Sequence, residues 1–182
     1  HSGVELDFVA RPTNNLDIKG FASFGDWVYA NDVVTRYFDE NLNILKEEAE
    51  DVDGGMVGDA AQTTWGLGAK YQIFKNFSID ADWRNYSNLY ANVGAVKENL
   101  MLPDYDLVDA GISYRMFVGK EKKDNLNFRV NMNNVFDEVY LSELTSNTQA
   151  EAGDDTFNGI NTSNRGFFGW GRTWNVTVRY NF

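Results

Sequence analysis

Seven stretches of this chain alternate between apolar and polar residues, and this period of two constrains the fold more than any other feature. In one stretch Trp65 and Leu67 are separated by Gly66, and Lys70 follows on the same side as Gly66. Alternation of this kind places successive side chains on opposite faces of a β-strand. The stretches cover residues 3–11, 15–29, 61–73, 77–86, 106–118, 126–134 and 173–182. A 15% aromatic content with only 2 prolines agrees with an all-β protein.

The connections between these stretches are alternately short and long. Short connections follow the first, third and fifth stretches, the last of them being the charged "GKEKKDN". Long connections cover about 30–60, 87–105 and 141–166, and the polar composition of the first and the last predicts flexible, solvated loops. The pattern predicts an antiparallel up-and-down sheet with all short turns at one end and all long loops at the other.

Residues paired across antiparallel strands share a face, and this rule predicts the register. It favours three-residue turns at Pro12-Thr13-Asn14 and Phe74-Lys75-Asn76, with Asn76 in a left-handed conformation, and it rules out a two-residue Lys75-Asn76 turn. These turns predict two ion pairs on the polar face of the sheet. The pairs are Asp7 with Lys19 and Lys70 with Asp80.

The apolar face can meet either a protein interior or lipid. A soluble β-sandwich is the common arrangement for alternating strands. Three features favour a transmembrane β-barrel instead: aromatic residues cluster at the ends of the stretches, the stretches exceed the usual ~5–6 residues of a globular strand, and short turns alternate with long loops. We therefore expect the bacterial outer membrane as the location, in contact with lipid and lipopolysaccharide.

Three segments of the chain carry a resemblance to known outer-membrane proteins. The run "NNVFDEVY", with Asn134, Phe136, Asp137 and Tyr140, resembles the penultimate-strand motif of TonB-dependent outer-membrane receptors. The closing strand resembles the C-terminal signal that the barrel assembly machinery reads. Its residues are Trp174, Val176, Val178, Tyr180 and Phe182. The opening "HSGVELDFVARPTNNLDIKG" resembles late barrel strands of the same family.

The resemblance implies that residues 1–182 form about the last seven strands of a 22-stranded barrel, with an N-terminal plug and TonB box lying outside this chain. It implies active uptake of a scarce nutrient, such as an iron–siderophore, a cobalamin or an oligosaccharide, driven by TonB through the plug. A surface lipoprotein is a further candidate partner. The alternatives are a passive porin or structural barrel, and a soluble β-domain that binds a ligand.

Other functions find little support in the sequence. With 1 histidine, His1, and no cysteine, no Ser-His or Cys-His pair can form within the chain, so we expect no catalytic site. The acidic run around Asp51 and Asp53 lacks EF-hand spacing, and we expect no metal or cofactor. A net charge of −11 argues against nucleic-acid binding.

Aromatic residues beside the long loops are the candidate ligand contacts. Trp27, Trp65 and Trp170 could stack on a ring of the cargo or anchor the protein at the membrane interface, and anchoring is the favoured interpretation. The charged residues of the polar face could line a substrate path or pack against the plug. The second interpretation is favoured.

Overall fold

A computed structural model describes residues 1–119 and 123–182 of the chain. Residues 120–122, in the charged turn predicted between the fifth and sixth stretches, lie outside the described residues. The strands are β1 (Ser2–Thr13), β2 (Leu16–Asp26), β3 (Val33–Phe38), β4 (Ile44–Glu50), β5 (Thr63–Phe74), β6 (Phe77–Ser87), β7 (Tyr105–Val118), β8 (Asp124–Asn133), β9 (Leu141–Leu144), β10 (Thr156–Phe157), β11 (Ile160–Asn161), β12 (Gly166–Phe168) and β13 (Thr173–Asn181). Within the described ranges there is no helix that is long and apolar enough to cross a membrane.

Seven of these strands form one antiparallel sheet in the order β1-β2-β5-β6-β7-β8-β13. They correspond one for one to the seven alternating stretches, so the predicted all-β, up-and-down arrangement is confirmed. Every neighbour in the sheet is also the next long strand along the chain. The short turns therefore leave one end of the sheet, here called the turn end, and the long connections leave the other, the loop end.

The apolar face of the sheet is not covered by any other part of the described chain. Leu67 is 48% exposed, Ile79 40% and Val178 57%. The buried apolar residues all lie outside the seven-stranded sheet, and they are Val52, Leu89, Ala91, Leu100, Leu102, Leu141, Leu144 and Ile160. A soluble β-domain would bury its apolar face, and this sheet does not.

The predicted register between β1 and β2 is wrong. Asp7 lies opposite Phe21, and Lys19 lies opposite Val9, so Asp7 and Lys19 are not paired. The register shifts between Ala10 and Thr13, around Pro12, whose missing N–H cannot join the ladder and favours a bulge. The strands then meet at a two-residue turn rather than the predicted three-residue one. The slip of two residues leaves every side chain on its predicted face.

The predicted register between β5 and β6 is correct, but the predicted turn is wrong. Lys70 lies opposite Asp80, as expected. The register then shifts between Gln72 and Phe74, and Phe74 pairs with Phe77, which leaves the two-residue Lys75-Asn76 turn that the facing rule seemed to exclude. The bulge adds a residue to one strand, so a two-residue turn no longer pairs side chains from opposite faces. Asn76 does not have a positive φ, so the predicted left-handed conformation is wrong.

The long connections contain ordered structure, which the prediction of flexible loops missed. β3 and β4 form a separate hairpin in the first of them. In the last, β9 pairs with β12 and β10 pairs with β11. Leu89 and Leu102 from the middle connection pack with Leu141, Leu144 and Ile160 from the last one, and together they form the hydrophobic core.

Candidate functional site: the polar face of the sheet

Two ion pairs on the polar face each bridge three strands. Lys19 on β2 bonds Asp82 on β6 at 2.7 Å and passes over Gly68 on β5. Arg129 on β8 donates two hydrogen bonds of 2.8 Å to Asp80 on β6 and passes over Gly111 on β7. Since each pair joins strands that are not neighbours, it couples the positions of three strands.

Both bridges depend on the glycine beneath them. A Cβ atom at Gly111 would lie 2.6 Å from an Arg129 guanidinium nitrogen and 2.8 Å from an Asp80 carboxylate oxygen. At Gly68 it would collide with the Asp82 carboxylate and the Lys19 side chain. The sequence places these glycines on the polar face, but only the register shows which long side chains cross them.

A third ion pair joins neighbouring strands nearer the loop end. Arg84 on β6 bonds the carboxylate of Asp109 on β7. The other oxygen of Asp109 accepts a hydrogen bond of 2.9 Å from the backbone N–H of Asn134, where β8 leaves the sheet. This pair therefore connects the sheet to the motif of Asn134, Phe136, Asp137 and Tyr140, here called the family-like motif.

The family-like motif fixes the exit of the chain from β8. Asn134 has a φ of 49°, is 5% exposed, and its side chain bonds the backbone of Glu138 and Trp170. Asp137 accepts a hydrogen bond of 2.7 Å from the Arg172 N–H just before β13. The two polar residues of the motif thus hold the start of the last connection against its end.

The two aromatic residues of the motif have different environments. Phe136 is 74% exposed. Tyr140 stacks on Tyr105, with ring centroids 4.2 Å apart, and Tyr105 stacks on Tyr86 at 4.9 Å. Burial, together with the nearby Tyr86, raises the pKa of Tyr140 above its ordinary value. The alternating pattern could have predicted part of this stack, because Tyr86 and Tyr105 occupy positions that point to the polar face of the sheet.

The three candidate tryptophans lie in three different places. Trp27 packs over Gly25 on the polar side of β2, with its ring 5.6 Å from that of His1. Trp65 lies on the apolar face and meets Trp83 edge-on at 4.6 Å. Trp170 is exposed in the last connection. The structure therefore does not bring the three together into one site.

Polar residues that the sequence analysis did not identify hold the long connections together. Gln62, 4% exposed, bonds the backbone of Trp27 and Val57. Asn99 donates to the carbonyls of Met56 and Ala91. The Lys97–Asp51 ion pair joins the same two connections, and Asp51 raises the pKa of Lys97.

The closing strand presents its apolar residues along one exposed edge of the molecule. Trp174, Val176, Val178, Tyr180 and Phe182 are each at least half exposed, and the structure shows no partner strand on that side of β13 in the described chain. Their reading as an insertion signal remains a prediction. Among residues 1–119 and 123–182 no group of three or more acidic or histidine side chains has the geometry to hold a metal ion.

Comparison with known proteins finds matches among solved structures only. No protein-family model matches the chain, and no curated protein matches it. The siderophore receptor PiuA from Acinetobacter baumannii is similar over 99% of this chain and 21% of the receptor, with a TM-score of 0.64 and 18% identity. The open form of the ferric-catecholate import receptor Fiu from E. coli K12 is similar over 97% of this chain and 20% of the receptor, with a TM-score of 0.56 and 18% identity.

The chain has the fold of a segment of a receptor β-barrel. The likeness to both structures agrees with the predicted all-β, antiparallel barrel fold. The chain spans about a fifth of the length of either receptor. At 18% identity the likeness shows the fold, and the residues of the site have to be interpreted from this chain alone.

Proposed function

We propose that this chain forms part of the barrel wall and the outer loops of a TonB-dependent outer-membrane receptor that imports an iron–siderophore complex. The observation that carries the proposal is the division of the sheet into an exposed apolar face and a charged, cross-linked polar face. A wall between lipid and a polar lumen needs this division, and a soluble domain does not. One similar structure is by name a siderophore receptor and the other a ferric-catecholate import receptor, which favours iron–siderophore over a cobalamin or an oligosaccharide.

In this proposal residues 1–182 are a C-terminal part of the barrel, and the polar face lines the lumen. The cargo enters from the loop end, where Trp27 and the Tyr86–Tyr105–Tyr140 stack offer aromatic surfaces on that face. Such surfaces suit a ligand that carries planar rings. Trp65 has the complementary role of an anchor at the lipid interface.

The partners follow from the same proposal. TonB would act through a plug encoded N-terminal to this segment, and lipid and lipopolysaccharide would cover the apolar face. The barrel assembly machinery would recognise the closing strand at Trp174, Val176, Val178, Tyr180 and Phe182. A surface lipoprotein above the loops is a further candidate partner.

The test is uptake of radioactive iron by cells that carry or lack the gene. Cells are grown under iron limitation and supplied with ⁵⁵Fe bound to a catecholate or a hydroxamate siderophore. We expect the gene to increase uptake of at least one of these complexes, and we expect deletion of tonB to abolish the increase. Uptake that persists without TonB would support the passive porin instead.

Two substitutions refine this test. We expect Trp27→Ala to reduce uptake, because it removes an aromatic surface from the polar face. Trp65→Phe is the matched control on the opposite face, and we expect uptake close to that of the unmodified protein. Equal uptake by both variants would remove Trp27 from the proposed cargo surface.

A further inference from the structure

The middle and last long connections share one buried core. The middle connection covers residues 88–104 and the last covers 134–172. Leu102 from the middle connection and Leu144 from the last are both fully buried. Further residues of both connections pack around them, and these are Leu89, Ala91, Leu100, Leu141 and Ile160. Separating the two connections would therefore expose apolar side chains of both.

Hydrogen bonds join the two connections around this core. The Asn92 N–H donates a bond of 2.7 Å to the Leu144 carbonyl. Asn147 of the last connection bonds the middle one twice. Its side-chain oxygen accepts a bond of 2.8 Å from the Leu100 N–H, and its amide nitrogen donates a bond of 2.8 Å to the Glu98 carbonyl. One side chain thus satisfies a backbone donor and a backbone acceptor of the other connection, which fixes their relative position.

Tyr105, the first residue of β7, connects this core to the polar face of the sheet. It packs against the core, and its ring stacks on those of Tyr86 and Tyr140. Tyr140 lies just before β9, and its ring packs closely over Gly169. The Gly169 N–H donates a bond of 2.9 Å to the Tyr140 carbonyl. The core therefore holds the stack through Tyr105, and the last connection holds it through Tyr140.

The β3–β4 hairpin of the first connection is attached differently. Among the described strands, β3 and β4 contact only each other. Its residues Leu42 and Leu45 are largely exposed. Ala61, at the end of the same connection, packs against the shared core, but no residue of the hairpin belongs to that core in the described chain. The hairpin is thus separate from the structure that the other two connections form.

We propose that residues 88–104 and 141–168, here called the outer unit, open only together and form a fixed rim around the Tyr86–Tyr105–Tyr140 stack. Opening either connection would expose the shared leucines to water, and the hydrophobic effect opposes this. Neither connection can therefore act as a lid by itself. The contacts that carry the proposal are buried within the described chain, so they do not depend on what surrounds this segment in a complete barrel.

The test is hydrogen–deuterium exchange of the full-length protein in detergent, read by mass spectrometry of its peptides. Leu144→Ala truncates a buried side chain of the last connection, and it should speed amide exchange roughly tenfold or more in both 88–104 and 141–168. The amides of Ala91 and Leu102 are the decisive ones, because they bond carbonyls within the middle connection itself. Exchange in the β3–β4 hairpin and in the sheet should stay unchanged. Leu144→Met keeps the side-chain volume, and it should exchange as slowly as the unmodified protein.

A second variant and a matched control complete the test. Asn147→Ala removes only the two bonds to the middle connection, and it should speed exchange in both segments to a smaller extent. It decides the matter if Leu144→Ala does not fold. Leu45→Ala shortens an exposed leucine of the hairpin, and it should leave the outer unit unchanged.

Three results would overturn the proposal. The first is faster exchange in 141–168 alone, which would show that the last connection opens without the middle one. The second is equally faster exchange throughout the sheet, which would show that the outer unit is not distinct from the wall. The third is an equal effect of Leu45→Ala. Failure of the unmodified protein to import iron, with joint opening of the two segments intact, would count against the proposed function alone.

Discussion

Arg129 on β8 reaches over Gly111 on β7 to make two hydrogen bonds of 2.8 Å with Asp80 on β6. The backbone ladder joins each strand only to its neighbours, and the same ladder can also form in a register shifted by two residues. A side-chain bridge that spans an intervening strand opposes such slippage directly. The Lys19–Asp82 pair over Gly68 repeats the arrangement on the other side of β6.

Gly111→Ala tests whether this bridge stabilises the wall. The new methyl group would lie 2.6 Å from an Arg129 nitrogen, so the guanidinium has to move away from Asp80. Both groups are the ends of flexible side chains that can move aside, so the cost is that of the lost ion pair, about 0.2–1 kcal/mol. We expect a lower midpoint in urea unfolding of the full-length protein, followed by the mobility difference between folded and unfolded forms on SDS gels. Thr177→Ala, on the same face, is the control and should leave the midpoint unchanged.

The corrected register makes a second prediction, about Lys19. A double-mutant cycle between Lys19→Gln and Asp82→Asn should show coupling of about 0.2–1 kcal/mol, as expected for an exposed pair. The same cycle between Lys19→Gln and Asp7→Asn should show none, because Asp7 lies opposite Phe21. Unfolding midpoints of the four variants in each cycle supply the measurement. Coupling to Asp7 instead of Asp82 would restore the register that the sequence predicts.

The observed registers show what the alternating pattern of apolar and polar residues can and cannot specify. It correctly assigned every strand of the sheet and the face of Lys19, Lys70 and Asp80. It could not detect a slip of two residues between β1 and β2, since an even shift leaves the faces unchanged. The two bulges, at Pro12 and beside Gln72, absorbed the mismatches that the facing rule had assigned to longer turns.

The hydrophobic core and the ion pairs that cross an intervening strand could not be predicted from the sequence, for a different reason. Leu89, Leu102 and Leu144 meet in space, but they lie in separate connections without periodicity. Likewise, nothing in the sequence distance between Asp80 and Arg129 indicates that a glycine lies between them in the sheet. Contacts of this kind depend on the completed register, which local patterns do not determine.

Asn134→Ala should disrupt the exit from β8. The substitution removes the side-chain bonds to Glu138 and Trp170, and it places alanine at a φ of 49°. Loss of buried hydrogen bonds of this type costs about 1–3 kcal/mol. We expect less folded protein in the outer membrane, measured by quantitative immunoblotting of membrane fractions. Phe136→Ala, at an exposed position of the same motif, is the control and should reach the level of the unmodified protein.

The two faces of the sheet can be assigned to their solvents by tryptophan fluorescence. Trp65 lies on the apolar face, whereas Trp27 packs over Gly25 on the polar side. In variants of the full-length protein that retain only one of these tryptophans, brominated lipid should quench Trp65 strongly and Trp27 weakly, because bromine quenches only at close range within the bilayer. Aqueous acrylamide should show the reverse order. If lipid bromine quenched Trp27 in preference to Trp65, the polar face would be the one turned toward the membrane, and both the lumen and the sites proposed on it would have to be abandoned.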